Sequence, residues 1–125
     1  SYIARIYGQL ESTTGDIDLP LICDWPNRPK QMVDHENGKK ALTKYRLIKQ
    51  EQESALVELT PITGRSHQLR VHMLAIGHPI LGDRLYAHDQ ALALSNRLQL
   101  HAKTLTIDHP VTESPLSFNA PVTFI

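Results

Sequence analysis

In TGRSHQLRVHMLAIGHPILGDRLY, residues 63–86, two arginines and two histidines fall within the first ten residues, and almost nothing polar follows until Asp83. Leu69, Met73 and Ile76 recur at i, i+4 and i+7, the period of a helix. Ser66 is placed as its N-cap and Gly77 as its C′ stop, bounding about three turns. Val71, Leu74 and Ala75 make the opposite half apolar as well, and a helix oily on every side is expected to be buried. Its charge is gathered at the N-terminal end, where free backbone N–H groups and the helix dipole favour an anion.

Around this helix the period changes to two. Tyr2, Ala4 and Ile6 share one face of a strand over residues 2–8, with Ile3, Arg5 and Tyr7 on the other. Ile17, Leu19 and Leu21 share the side of a second strand, which Pro20 confines to an edge. DWPNRPKQ, residues 24–31, reads as a stiff loop with basic tips at Arg28 and Lys30. Residues 41–49 and 55–60 alternate on either side of the polar QEQES and predict a hairpin. Residues 89–96 predict a short helix, 98–107 a strand and 116–119 another. Strands, one buried helix and more strands, without regular β-α alternation, argue for an α+β fold on a mainly antiparallel sheet.

The totals narrow the class. The 125 residues make one domain, and 13 basic residues balance 13 acidic ones, so no global field draws the chain to polyanions or lipid, although a local patch fits inside a neutral total. Cys23 is alone, which excludes an internal disulfide and sets the expectation of a reducing, cytoplasmic compartment. No apolar run approaches the ~20 residues of a membrane span, so no membrane partner is expected.

Several chemistries are weighed against the residues. His67, His72 and His78 are spaced five and six apart with no carboxylate between, unlike the i, i+4 pairs of helical metal sites. Histidines holding backbone carbonyls are expected instead, and no metal. Ser66 beside His67 makes no nucleophile–base pair, and the scattered glycines form no phosphate cradle. Arg65 and Arg70 remain, their guanidinium forks suited to carboxylate or phosphate. Pattern alone leaves Arg70 open between an ion pair tying the helix to a loop and a hold on a functional anion. Tyr2 is equally open between strand packing and a platform for a flipped base.

Thr63-Gly-Arg-Ser-His-Gln-Leu-Arg-Val-His72, followed by Ile76-Gly-His-Pro-Ile-Leu-Gly-Asp-Arg-Leu-Tyr86, resembles the C-terminal signature of the RluA family of RNA pseudouridine synthases. The likeness continues through Tyr2–Gly8, Leu100-His-Ala102 and Asp108-His-Pro110, and so covers essentially the whole chain. It implies a cofactor-free isomerisation of a flipped-out uridine in RNA. It also implies that Arg70 pairs with a nucleophilic aspartate and that Tyr2 stacks on the uracil and takes part in proton transfer. Arg65 and His67, beside that site, and the loop residues Arg28 and Lys30 are expected to contact RNA. DLPLICDWPNRPKQ, residues 18–31, resembles the branch acting on both 23S ribosomal RNA and transfer RNA.

One element of the family pattern is absent. The nucleophile of the family lies in an H-R-L-D-x-x-T-S-G motif upstream of the tyrosine strand, and none of Asp16, Asp18, Asp24, Asp34, Asp83, Asp89 or Asp108 has that context. The expectation is therefore that residues 1–125 form the C-terminal portion of a synthase catalytic domain, without its N-terminal half. On its own the chain would be inactive and would self-associate through the face left bare, and Arg70 would meet water, a free anion or a stand-in acid. A non-catalytic RNA-binding module and a histidine-based metallohydrolase stand as the competing readings.

Overall fold

The computed structural model describes residues 1–102; the strand expected at 116–119, and most of the one expected at 98–107, fall outside the described residues. β1 (Tyr2–Tyr7), β2 (Thr14–Asp18), β5 (Leu42–Gln50), β6 (Ser54–Pro61) and β7 (Leu100–Ala102) form one sheet in the order β2-β5-β6-β1-β7, every pairing antiparallel. β3 (Leu21–Cys23) and β4 (Gln31–Val33) make a separate two-stranded ribbon. With the helices α1 (Gln68–Ala75) and α2 (Asp89–Ala93), this is the α+β, mainly antiparallel architecture that the alternating strands predict.

The alternation decides which face is covered. Tyr2 sits opposite Leu59, Ala4 opposite Val57 and Ile6 opposite Ala55, so the face expected for β1 meets the buried face of β6. Ala4, Ile6, Ile17, Ala55, Val57 and Leu59 form the main core, onto which α1 lays Leu69 and Met73. β2 is an edge strand, as expected, although Pro20 falls in the gap before β3 rather than inside a strand. In the β5–β6 hairpin the register slips between Leu47 and Lys49, and the bulged Ile48 is left exposed.

Two expectations about the central helix need correction. It spans eight residues, and its N-cap is His67, in the left-handed region (φ 55°) and without a side-chain cap, rather than Ser66. The Gln68 side chain instead ties the preceding loop to the helix start: Thr63 Oγ1 and the Arg65 N–H both donate to Gln68 Oε1, at 2.7 and 3.0 Å. Nor is the helix buried all round, since Leu74 and Ala75 reach solvent. Its apolar surface is divided instead. Leu69 and Met73 face the large sheet, and Val71 packs with Leu21, Ala41 and Tyr86 under the ribbon. Gly77 ends the helix at φ +89°, as a C′ glycine should.

Candidate active site

The loop from Thr63 to His67 and the first turn of α1 are pinned to the sheet from beneath. Gln68, nearly fully buried, donates through Nε2 to the Leu42 carbonyl at 2.9 Å and to Thr43 Oγ1 at 3.0 Å. Thr43 Oγ1 in turn lies 2.8 Å from His72 Nδ1, and His72 Nε2 lies 2.8 Å from the Leu19 carbonyl. A carbonyl only accepts, so Nε2 carries the proton, and Nδ1 accepts from the threonine hydroxyl. Burial holds the His72 pKa below its ordinary value, which keeps the ring neutral. His78 Nδ1 donates to the Tyr7 carbonyl at 2.8 Å. These two histidines hold backbone, as expected, and no group of three or more potential metal ligands occurs among the described residues.

Above this floor lies a hollow of about 280 Å³ lined by Tyr2, Pro61, Thr63, Gly64, Arg65, His67, Gln68, Leu69, Arg70 and Leu100. The strand start at Tyr2 and the helix start at Arg70, 68 positions apart in sequence, thus open onto one cavity together with Arg65 and His67. Arg65 is steadied by Nε donating to the Lys40 carbonyl at 2.8 Å. Arg28 and Lys30 are not among the lining residues; they belong to the loop between β3 and β4, where Arg28 is exposed and Lys30 only half so.

Arg70 does not wait for a chance partner. Its Nε and Nη2 donate to the two carboxylate oxygens of Asp83 at 3.0 and 2.8 Å. Asp83 is fully buried, and its Oδ1 also accepts the backbone N–H groups of Leu85 and Tyr86 at 3.1 and 3.3 Å. The acid is thus fixed by its own turn, which makes it a built-in partner rather than a stand-in. The ion pair holds the guanidinium pKa above its ordinary value, chiefly through the hydrogen bonds to Asp83. One edge of the guanidinium, Nε and Nη2, is consumed in this way, and Arg70 still lines the hollow.

Tyr86 completes the support. Its ring lies 5.3 Å from the Arg70 guanidinium carbon, and its hydroxyl accepts the Gln31 N–H at 2.9 Å and lies 2.7 Å from His67 Nδ1. Burial raises the pKa of this phenol and keeps it protonated. Burial first, and then the Arg70 charge, hold the His67 pKa down, which favours the neutral imidazole. Gln68, Asp83 and Tyr86 were not among the residues expected to build the site. All three lie within the two signature stretches, where their supporting contacts leave no trace of their own.

The family described as RNA pseudouridylate synthase matches residues 1–75, a span that holds Tyr2, Arg65, His67 and Arg70. The chain belongs to this family. The dual-specificity RNA pseudouridine synthase RluA of Yersinia pestis is 58% identical over 125 residues, and that of Escherichia coli K12 is 56% identical over 124, covering 99% and 98% of this chain. The chain spans 61% and 57% of the length of those two relatives. Among solved structures, human RNA pseudouridylate synthase domain containing 1 superposes with a TM-score of 0.72 at 28% identity, covering 79% of this chain and 45% of its own. Human RNA pseudouridylate synthase domain containing 4 gives 0.63 at 28% identity, covering 82% and 50%. Family membership and fold thus agree with the resemblance read from residues 63–86.

Proposed function

We propose that the protein to which this chain belongs isomerises uridine to pseudouridine in structured RNA, and that this chain supplies the arginine and the tyrosine of its active site. The observation that carries the proposal is the convergence of Tyr2 and Arg70 on one hollow, within the span matched by the synthase family. In this reaction the N1–C1′ bond breaks, the base turns and a C5–C1′ bond forms; C5 loses its proton and N1 gains one. Tyr2 stacks on the extruded uracil and serves the proton transfer, while the guanidinium of Arg70 orients the attacking carboxylate. That carboxylate comes from outside these 125 residues. Asp83 does not line the hollow and has both oxygens engaged by Arg70, which leaves it a support. The likeness carried by residues 18–31 points to 23S ribosomal RNA and transfer RNA as the substrates, and the lone Cys23 to the cytoplasm as the place of action.

In the intact protein, Arg70→Ala should abolish pseudouridine formation on a hairpin RNA, read by mass-labelled uridine, while Arg28→Ala mainly weakens RNA binding. Equal and mild losses would undo these roles. Turnover by the 125-residue chain alone would overturn the external nucleophile. The isolated chain is also proposed to self-associate, and a single monomeric species by sedimentation at high concentration would refute that.

A further inference from the structure

The loop joining β3 to β4 carries a feature that the reaction hollow does not use. Trp25, the sole tryptophan of the sequence, is 67% exposed, so its ring adds little to the core. The Arg28 guanidinium carbon stands 4.2 Å from the centroid of the indole, and Arg28 Nη1 donates to the Trp25 carbonyl at 2.7 Å. The cation is therefore tied to the backbone of the residue whose ring it covers.

The loop beneath is closely bonded. The Asp24 N–H donates to the Lys30 carbonyl at 2.8 Å, the Asn27 N–H to the Asp24 carbonyl at 2.9 Å and the Lys30 N–H to the Asn27 carbonyl at 3.1 Å. Asp24, the one acid of the segment, has its carboxylate engaged by the Asn27 side-chain amide at 3.0 Å. At the far end the Gln31 N–H reaches the Tyr86 hydroxyl, which touches His67 of the hollow. An aromatic ring with a guanidinium held over it has already lost much of the freedom that binding would otherwise remove. Such a pair suits the face of an unpaired base, with a cation beside it for the phosphate.

We propose that Trp25, backed by Arg28, is a stacking platform for one unpaired base of the RNA outside the reaction hollow, with Lys30 meeting the flanking phosphate. The proposal rests on RNA being the substrate. Specific RNA recognition favours single-stranded loops, whose bases can be splayed onto such surfaces.

The test uses the intact protein, with a hairpin RNA carrying an unpaired loop and a blunt duplex of matched charge. Trp25→Ala should weaken hairpin binding about tenfold, the scale of one lost base stack, and leave duplex affinity and the melting temperature unchanged. Trp25→Phe, which keeps an aromatic face, should recover binding to within about threefold of the parent. The parent should also show hairpin-dependent quenching of tryptophan fluorescence that Trp25→Phe lacks. Hairpin affinity unchanged in Trp25→Ala, or equal losses for hairpin and duplex, would overturn the platform and leave the RNA reading standing. A parent protein that binds no hairpin would remove both.

Discussion

Arg70 and Asp83 make the bond on which the residue chemistry of the hollow turns. The pair is largely desolvated, with Asp83 fully buried, and removing one partner strands the other charge. Asp83→Asn should therefore destabilise the fold by about 3–5 kcal/mol, measured by urea unfolding. An unchanged midpoint would mean that the turn amides, and not the arginine, hold the acid. His72 gives a second test at this scale. Its folded pKa lies below the ordinary value of 6.5 because the ring is buried. The unfolded chain thus takes up the proton first as pH falls. The contribution of His72 is complete above about pH 6.5 and declines below it, toward the lowered folded value. Replacing His72 with Gln should flatten that part of the stability–pH curve, whatever it does to the maximum.

At the scale of the element, the β5–β6 hairpin and its pairing with β1 carry most of the core. Leu59 is fully buried opposite Tyr2 on one side and Tyr45 on the other. Leu59→Ala should cost about 2–5 kcal/mol, whereas Ile48→Ala, on the exposed bulge of the same hairpin, should stay within about 0.5 kcal/mol. Comparable costs at the two positions, by chemical denaturation, would contradict the assigned register. Helix α1 shows where pattern fell short. Its composition is apolar all round, and yet it is buried on two sides only, between sheet and ribbon. Periodicity reports which residues avoid water, and says nothing of how many neighbouring layers there are to receive them. The cap was misplaced for a related reason. Ser66 has the right chemistry, but the Gln68 amide, held down by Leu42 and Thr43, already receives the Thr63 hydroxyl and the Arg65 N–H.

Across the whole molecule, the hollow exists because the end of β6, the start of β1 and the first turn of α1 meet at one rim. The strand alternation that buries Ala4 and Ile6 also commits Tyr2 to the helix-bearing face of the sheet, at the end where Arg70 emerges. The same packing sets the loop of Trp25 apart from the hollow, linked to it through Tyr86. The reaction site and the proposed stacking platform are thus separate places on one scaffold.

Local chemistry written along the chain determined the strands of the large sheet, the helix, the antiparallel class and the family signature, but not the β3–β4 ribbon. Period, turn residues and motif spacing are all short-range properties, legible without coordinates. The closing of Asp83 onto Arg70, the burial of the Gln68–Thr43–His72 chain and the meeting of Tyr2 with Arg70 were decided only in three dimensions. Each joins residues from separate elements, and hydrogen-bond geometry over such separations is fixed by how the layers pack.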